Sequence, residues 1–286
     1  MRRGDFESAW RVSDGIIALR QPGEQCWALP RHEQWVWDGR PLAGQRVLVR
    51  CYHGLGDTLQ FARFLPELRR MAAATVVWAQ APLIPLLRTL RDGCAMQLLP
   101  LHDGTPEVDY DVDIEVMELG HALRVRADAV GKLVPYFNVP AAPRAAERFV
   151  VGLVLASGGW DRRRSLPRAL LDRLRALPRV EVCNLQVDQP LPGVRDLSTP
   201  DVLVLARRVR ALDLVITPDT MLAHLAGALG VPTWTLLPAD ADWRWLSPDR
   251  CDSPWYPSMR LFRQPSPGDW TSVCDAVLAR LSSIAR

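Results

Sequence analysis

Apolar positions along this chain follow two periods in turn. Short runs of consecutive apolar residues predict buried strands, and each is followed by a stretch with apolar residues at helical spacing. Residues 46–51 read as a strand, and 57–73 read as a helix through Leu59, Phe61, Ala62, Leu65 and Leu68. A β-branched strand at 75–79 precedes a helix opened by proline over 82–90, and weaker strands are predicted near 97–99 and 112–116. A proline- and alanine-rich stretch over 140–146 reads as a linker. The rhythm then resumes. Strands at 149–155, 180–185, 212–217 and 232–237 alternate with helices at 167–177, 200–210 and 219–229, and a helix over 269–284 closes the chain. Residues 1–45 read as irregular, with short alternating runs such as Cys26-Trp27-Ala28-Leu29 that suit edge strands.

Strands alternating with helices imply mostly parallel sheets covered on both faces. The pattern therefore predicts an N-terminal segment over 1–45 joined to a doubly wound domain over 46–143, and a second such domain over 144–286. Two domains of this kind are expected to face each other across a cleft. No internal repeat of solenoid length is visible.

Composition narrows the function. Hydrophobic residues make up 48% and charged residues 23%, which is enough for a packed core. The net charge is only +3, with arginines interleaved among acids, so no nucleic-acid footprint is expected. Lys132 is the only lysine, so any phosphate contact from a cation must come from arginine, a planar fork. The six cysteines are scattered without a C-x-x-C pair, and buried free thiols are expected instead of a zinc site or a disulfide framework. No apolar run reaches membrane-span length, and the first residues lack a signal-peptide core. A cytoplasmic protein is expected, with peripheral membrane contact left open.

Two strand-to-helix junctions carry candidate chemistry. The first is Gly54-Leu55-Gly56-Asp57-Thr58. Its glycines permit a tight turn and close ligand approach. A carboxylate there, at the C-terminal edge of a parallel sheet, could take a proton from an attacking hydroxyl. Equally, Asp57 could simply cap the helix. The second junction is Asp219-Thr220-Met221-Leu222-Ala223-His224. Helix N-terminal amides make a phosphate cradle, and Thr220 and His224, four apart, share a face. A cap role for Asp219 and a structural role for His224 are the alternatives. Trp243, Trp245, Trp255 and Tyr256 cluster in one long loop; they suit sugar or base stacking, or they wall a small core.

Taken together, these segments resemble a known family. Gly54-Leu55-Gly56-Asp57-Thr58-Leu59-Gln60-Phe61-Ala62-Arg63-Phe64-Leu65-Pro66 is similar to the opening motif of the catalytic region of bacterial tetratricopeptide-repeat glycosyltransferases. Asp219-Thr220 with Ala223-His224-Leu225-Ala226-Gly227 is similar to their second motif, and Asp242-Trp243-Arg244-Trp245 with 253–264 to their tail. Those proteins are relatives of the ADP-heptose lipopolysaccharide heptosyltransferases of glycosyltransferase family 9. The resemblance covers about residues 30–281.

The resemblance implies a GT-B fold, two Rossmann-like domains with the donor held mainly by the second, and inverting transfer without a metal or other cofactor. It implies Asp57 as catalytic base. It implies donor contacts from Gly54, Gly56, Ser157, Gly158, Arg163, Arg164, Gln186, Asp219, Thr220, Met221 and His224, and acceptor or cleft contacts from His53, Gln60, Arg63 and Trp243. The partners implied are a nucleotide-sugar, with hexose or heptose as the sugar, and a glycan or protein acceptor. The chain departs from the family pattern at His53, at Pro218 and at Leu155-Ala156-Ser157-Gly158, and an arginine stands where heptosyltransferases use lysine. A catalytically silent GT-B binding or scaffold protein and a nucleotide-sugar epimerase are the competing expectations.

Overall fold

The computed structural model describes residues 1–20, 26, 28–91, 96–144, 148–159 and 161–285. They form two compact units, Arg3–Asn138 and Val139–Arg286. The five residues 139–143, read from sequence as the end of the first domain, pack with the second. Residues 145–147 of the expected linker lie outside the described residues.

The first unit opens with helix α1, Phe6–Leu19. This corrects the irregular reading of the N-terminal segment, and no strand forms among the described residues before 46. Ser13, Asp14 and Gly15 are poor helix formers and hide the helix in the sequence. Tertiary contacts compensate. Asp5 caps the helix by accepting from Ser8 N at 3.0 Å. Phe6 and Trp10, one turn apart, are buried, and Trp10 stacks on His121. Asp14 accepts from the His121 ring at 2.7 Å and is gripped by both terminal nitrogens of Arg124.

Four parallel strands follow: β1 Arg46–Arg50, β2 Ala74–Ala79, β3 Gln97–Pro100 and β4 Val112–Glu115, in the order β3-β2-β1-β4. Leu48 pairs with Val76 and Val49 with Val77 in register, and these central strands are buried on both faces. The helix expected over 57–73 is broken into α2 (Leu55–Phe61), a 3-10 turn at Ala62–Phe64 and α3 (Leu65–Met71). Pro66 explains the break, because it lacks an N–H and its ring collides with the carbonyl four residues back. Pro82 and Pro85 likewise reduce the 82–90 helix to a 3-10 turn and the four-residue α4, Ile84–Leu87. After β4 come a 3-10 turn, Val116–Glu118, and α5, Leu119–Ala122.

The second unit carries a six-stranded, wholly parallel sheet. Its strands are β5 Phe149–Leu153, β6 Val180–Asn184, β7 Arg195–Asp196, β8 Leu214–Pro218, β9 Thr233–Leu237 and β10 Met259–Arg263, ordered β10-β9-β8-β5-β6-β7. Helices α6 Ala169–Arg175, α7 Val202–Val209, α8 Met221–Ala228 and α9 Trp270–Ile284 cover it. One core joins Leu153, Ile216, Trp234, Leu170, Leu174 and Val277. β7 and β10 were not evident from periodicity: β7 has two exposed residues, and β10 carries Arg260 and Arg263 among three apolar side chains. Outside β10, Leu261 N donates to Cys251 O at 2.8 Å beside an Asp252–Arg260 bridge.

Among the described cysteines Cys26, Cys51, Cys183 and Cys274 are buried free thiols, but Cys251 is exposed. No helix among the described residues is long and apolar enough to cross a membrane.

Candidate functional site

In the first unit the chain leaves β1 through Cys51, Tyr52 and His53 and turns into α2 at Gly54. Gly54 is the N-cap, and the Asp57 carboxylate reaches back to accept from its N–H at 3.0 Å. Asp57 is therefore a cap in fact, half-buried at the C-terminal edge of the sheet. Gly56 lies within the first turn of α2. The loop is clamped from two sides. Gln80 donates to His53 O at 2.7 Å while accepting from the Thr58 hydroxyl at 3.0 Å. On the other side, Glu115 is almost fully buried at the end of β4 and takes Tyr52 N at 3.2 Å and the His53 ring at 3.1 Å. Behind it, Glu118 accepts from Trp37 N and Glu115 N, and burial pushes its carboxyl up to about 7.

Gln60 and Arg63 are corrections to the sequence-based assignment. Both are interior, with relative exposures of 0% and 2%. Arg63 donates to Gln60 O, Val130 O and Tyr136 Oη and stacks over the Tyr136 ring. A side chain so occupied braces α2 and does not meet an acceptor. Nothing in the periodicity separates an arginine of this kind from an exposed one.

In the second unit three loops converge beyond the C-terminal ends of β5, β6 and β8. Gln186, just past β6, accepts from Leu155 N at 2.9 Å and Ala156 N at 3.0 Å, so its side chain continues the sheet where no strand pairs. Ser157 Oγ donates to Asp161 O and meets Ser165 Oγ, closing the 157–165 loop; Trp160 lies outside the described residues. Gly158 is exposed, with open space where a Cβ would stand. Arg163 folds onto the Asp161 carboxylate and reaches Asp240 at 3.4 Å. Arg164 turns the other way: its Nη1 donates to Asp219 O at 2.8 Å and lies 3.7 Å from the Asp219 carboxylate.

Asp219 precedes the N-cap of α8, which is Thr220. The Thr220 hydroxyl points to Thr217 Oγ1 at 3.0 Å, so no side chain caps the helix that Met221 begins. Burial raises the Asp219 carboxyl above its ordinary value; the nearby Trp245 indole N–H and the Arg244 and Arg164 guanidiniums oppose the rise. That indole stands close to Asp219 without full hydrogen-bonding geometry. His224 is buried, 3.8 Å from Asp219, bonded to Tyr256 Oη at 2.9 Å and stacked on Trp245 at 5.5 Å.

The tryptophan-rich loop thus divides. Trp245, Trp255 and Tyr256 are buried and form a small core beneath the loop, while Trp243 is half-buried, edge-on to Trp255. Sequence reasoning missed Trp245 and Tyr256 as the seat of His224, because no spacing rule links 224 to 245 or 256. The structure brings Arg164, Asp219 and His224 into one contact network, with Thr220 beside it bonded to Thr217, and Ser157, Arg163 and Gln186 on its flanking loops.

The two parallel-sheet α/β units match the GT-B folds of solved glycosyltransferases. No protein-family model matches the chain. Among curated proteins it is similar to Protein FlbA of Caulobacter vibrioides, 26% identical over 294 residues that cover 87% of this chain and 48% of FlbA. The chain thus spans about half the length of the curated relative it matches. Among solved structures it is similar to a family 9 glycosyl transferase from Veillonella parvula, with TM-score 0.60, 11% identity, and 85% of this chain and 98% of that one covered. The Escherichia coli heptosyltransferase WaaC, solved with ADP, gives TM-score 0.53 at 13% identity, covering 84% and 99%. At such identities the likeness establishes the fold.

Proposed function

We propose that the chain is a glycosyltransferase that moves a sugar, hexose or heptose, from a nucleotide-linked donor to a hydroxyl of a glycan or protein, with inversion and without a metal. The observation that carries this reading is the network of half-buried Arg164 with buried Asp219 and His224, beside Thr220 at the start of an α8 helix that no side chain caps. The helix amides and Arg164 suit a leaving diphosphate, whose charge they neutralise as it develops. That WaaC was solved with ADP supports a nucleotide-linked donor. Ser157, Gly158, Arg163, Gln186 and Met221 line or brace the same loops. In the first unit Asp57 takes the acceptor proton, with Gly54 and Gly56 allowing close approach; His53 and Trp243 are assigned to acceptor contacts. We place the reaction in the cytoplasm.

Asp57→Asn tests the assignment: transfer falls at least about a hundredfold while binding of ADP persists. Transfer at near wild-type rate would remove Asp57 from the chemistry. One observation favours a second reading, a binding module that kept the fold: the Asp57 carboxylate already serves as a cap for Gly54 N–H. Release of free nucleotide from a sugar donor, sustained over many turnovers, would exclude it.

A further inference from the structure

Arg263 ends β10 with a guanidinium that the described residues of the second unit satisfy only in part. Its Nη2 donates to Trp245 O at 3.2 Å, whereas Nε and Nη1 are buried without a partner. Burial and then the like charge of Arg2 lower its proton affinity, and among the described residues no carboxylate contributes to hold the charge. Arg263 is half-buried, but covered cationic nitrogens left without a partner are costly, and proteins pair such groups or place an anion against them. Two further N–H groups of the second unit lack a complete hydrogen bond among the described residues. Arg164 Nε is buried and unpartnered, and the Trp245 indole N–H makes no complete hydrogen bond.

A second, independent observation involves the backbone. Trp245 closes a 3-10 turn, Trp243–Trp245, that exits through Leu246 at φ 57° and ψ −152°, a region that a branched side chain occupies only under constraint. The residue on the near side of that strained link is the one whose carbonyl Arg263 holds. Its ring in turn supports His224 and approaches Asp219. Residues strained in this way cluster at ligand clamps and switch regions.

We propose that Arg263 is an anion site in its own right, taking a phosphate group, and that its occupation fixes the Trp243–Leu246 turn. A phosphate offers several oxygens to several N–H donors, as the unpartnered Arg263 nitrogens require. The phosphate could belong to a nucleoside diphosphate or to a phosphorylated sugar. The inference goes beyond the glycosyltransferase reading and would stand if no sugar were transferred.

The test is titration of the full chain with sodium phosphate, ADP and glucose 6-phosphate at constant ionic strength, followed by thermal shift and calorimetry. In Arg263→Met, phosphate binding is expected to weaken at least about tenfold. Loss of ADP affinity, with phosphate competing against ADP, identifies the nucleotide as the source. Loss of glucose 6-phosphate affinity with ADP unaffected identifies a phosphorylated sugar. Phosphate binding unchanged within about twofold in the variant, or no phosphate binding by the wild type, overturns the proposal. Should Arg263→Met fail to fold, Arg263→Lys, which keeps the charge and loses the planar fork, is read by the same criteria.

Discussion

Replacing Glu118 by glutamine removes one proton-binding site from the first unit while keeping an oxygen that can accept from Trp37 N and Glu115 N. Burial raises the Glu118 carboxyl from 4.5 to about 7. A raised value means that the folded chain holds this proton more tightly than the unfolded chain does. Its contribution to stability is therefore complete below about pH 4.5 and lost as pH rises through about 7. A shift of this size corresponds to about 3 kcal/mol, of which about 2–3 kcal/mol lies between pH 5 and pH 8. Urea unfolding of wild type and Glu118→Gln at both pH values isolates the contribution, because every other titrating group is common to the two proteins. The wild type is expected to lose about 2–3 kcal/mol more than the variant on going to pH 8. Hydrogen exchange at the Trp37 and Glu115 amides reports the same change locally. Parallel pH dependence, within about 0.5 kcal/mol, would refute the assignment of a buried, proton-retaining Glu118.

Gly227→Ala would place a methyl 2.5 Å from the ring of the buried Tyr256, which is bonded to His224. A loss of about 2–4 kcal/mol in thermal unfolding is expected, with Gly158→Ala, facing open space, as the neutral control. Gln186→Ala strands the amides of Leu155 and Ala156; about 1–3 kcal/mol is lost and both amides exchange faster, whereas Gln186→Glu retains them. Arg63→Met removes the bonds to Gln60 O, Val130 O and Tyr136 Oη, costing about 2–4 kcal/mol in the first unit while calorimetric ADP affinity stays unchanged.

Most of the fold was legible because its strands are short apolar runs with helical spacing between them. β5, β8 and β9 are buried on both faces, and such strands leave an uninterrupted signature. α1 was not legible: its stability comes from Trp10, His121 and Arg124, residues more than a hundred positions apart in part, and not from its own Ser13-Asp14-Gly15 centre. The break after Phe61 was written in Pro66 but overridden in reading by the apolar period around it. In the site, the junctions at Gly54 and Asp219 could be read from turn and cap chemistry. The interior fate of Gln60 and Arg63, the Trp245–His224 stack and the unsatisfied Arg263 depend on burial, which a linear pattern does not encode.

The margins of the six-stranded sheet bear on how the chain behaves in a crowd of its own copies. One margin is β7, two residues long, too brief to template another strand. The other, β10, already spends Leu261 N on Cys251 O and is bridged at Arg260 by Asp252. With both flanks blunted in this way, a fully parallel sheet that folds slowly by nature is shielded from the edge-to-edge stacking that seeds fibrils.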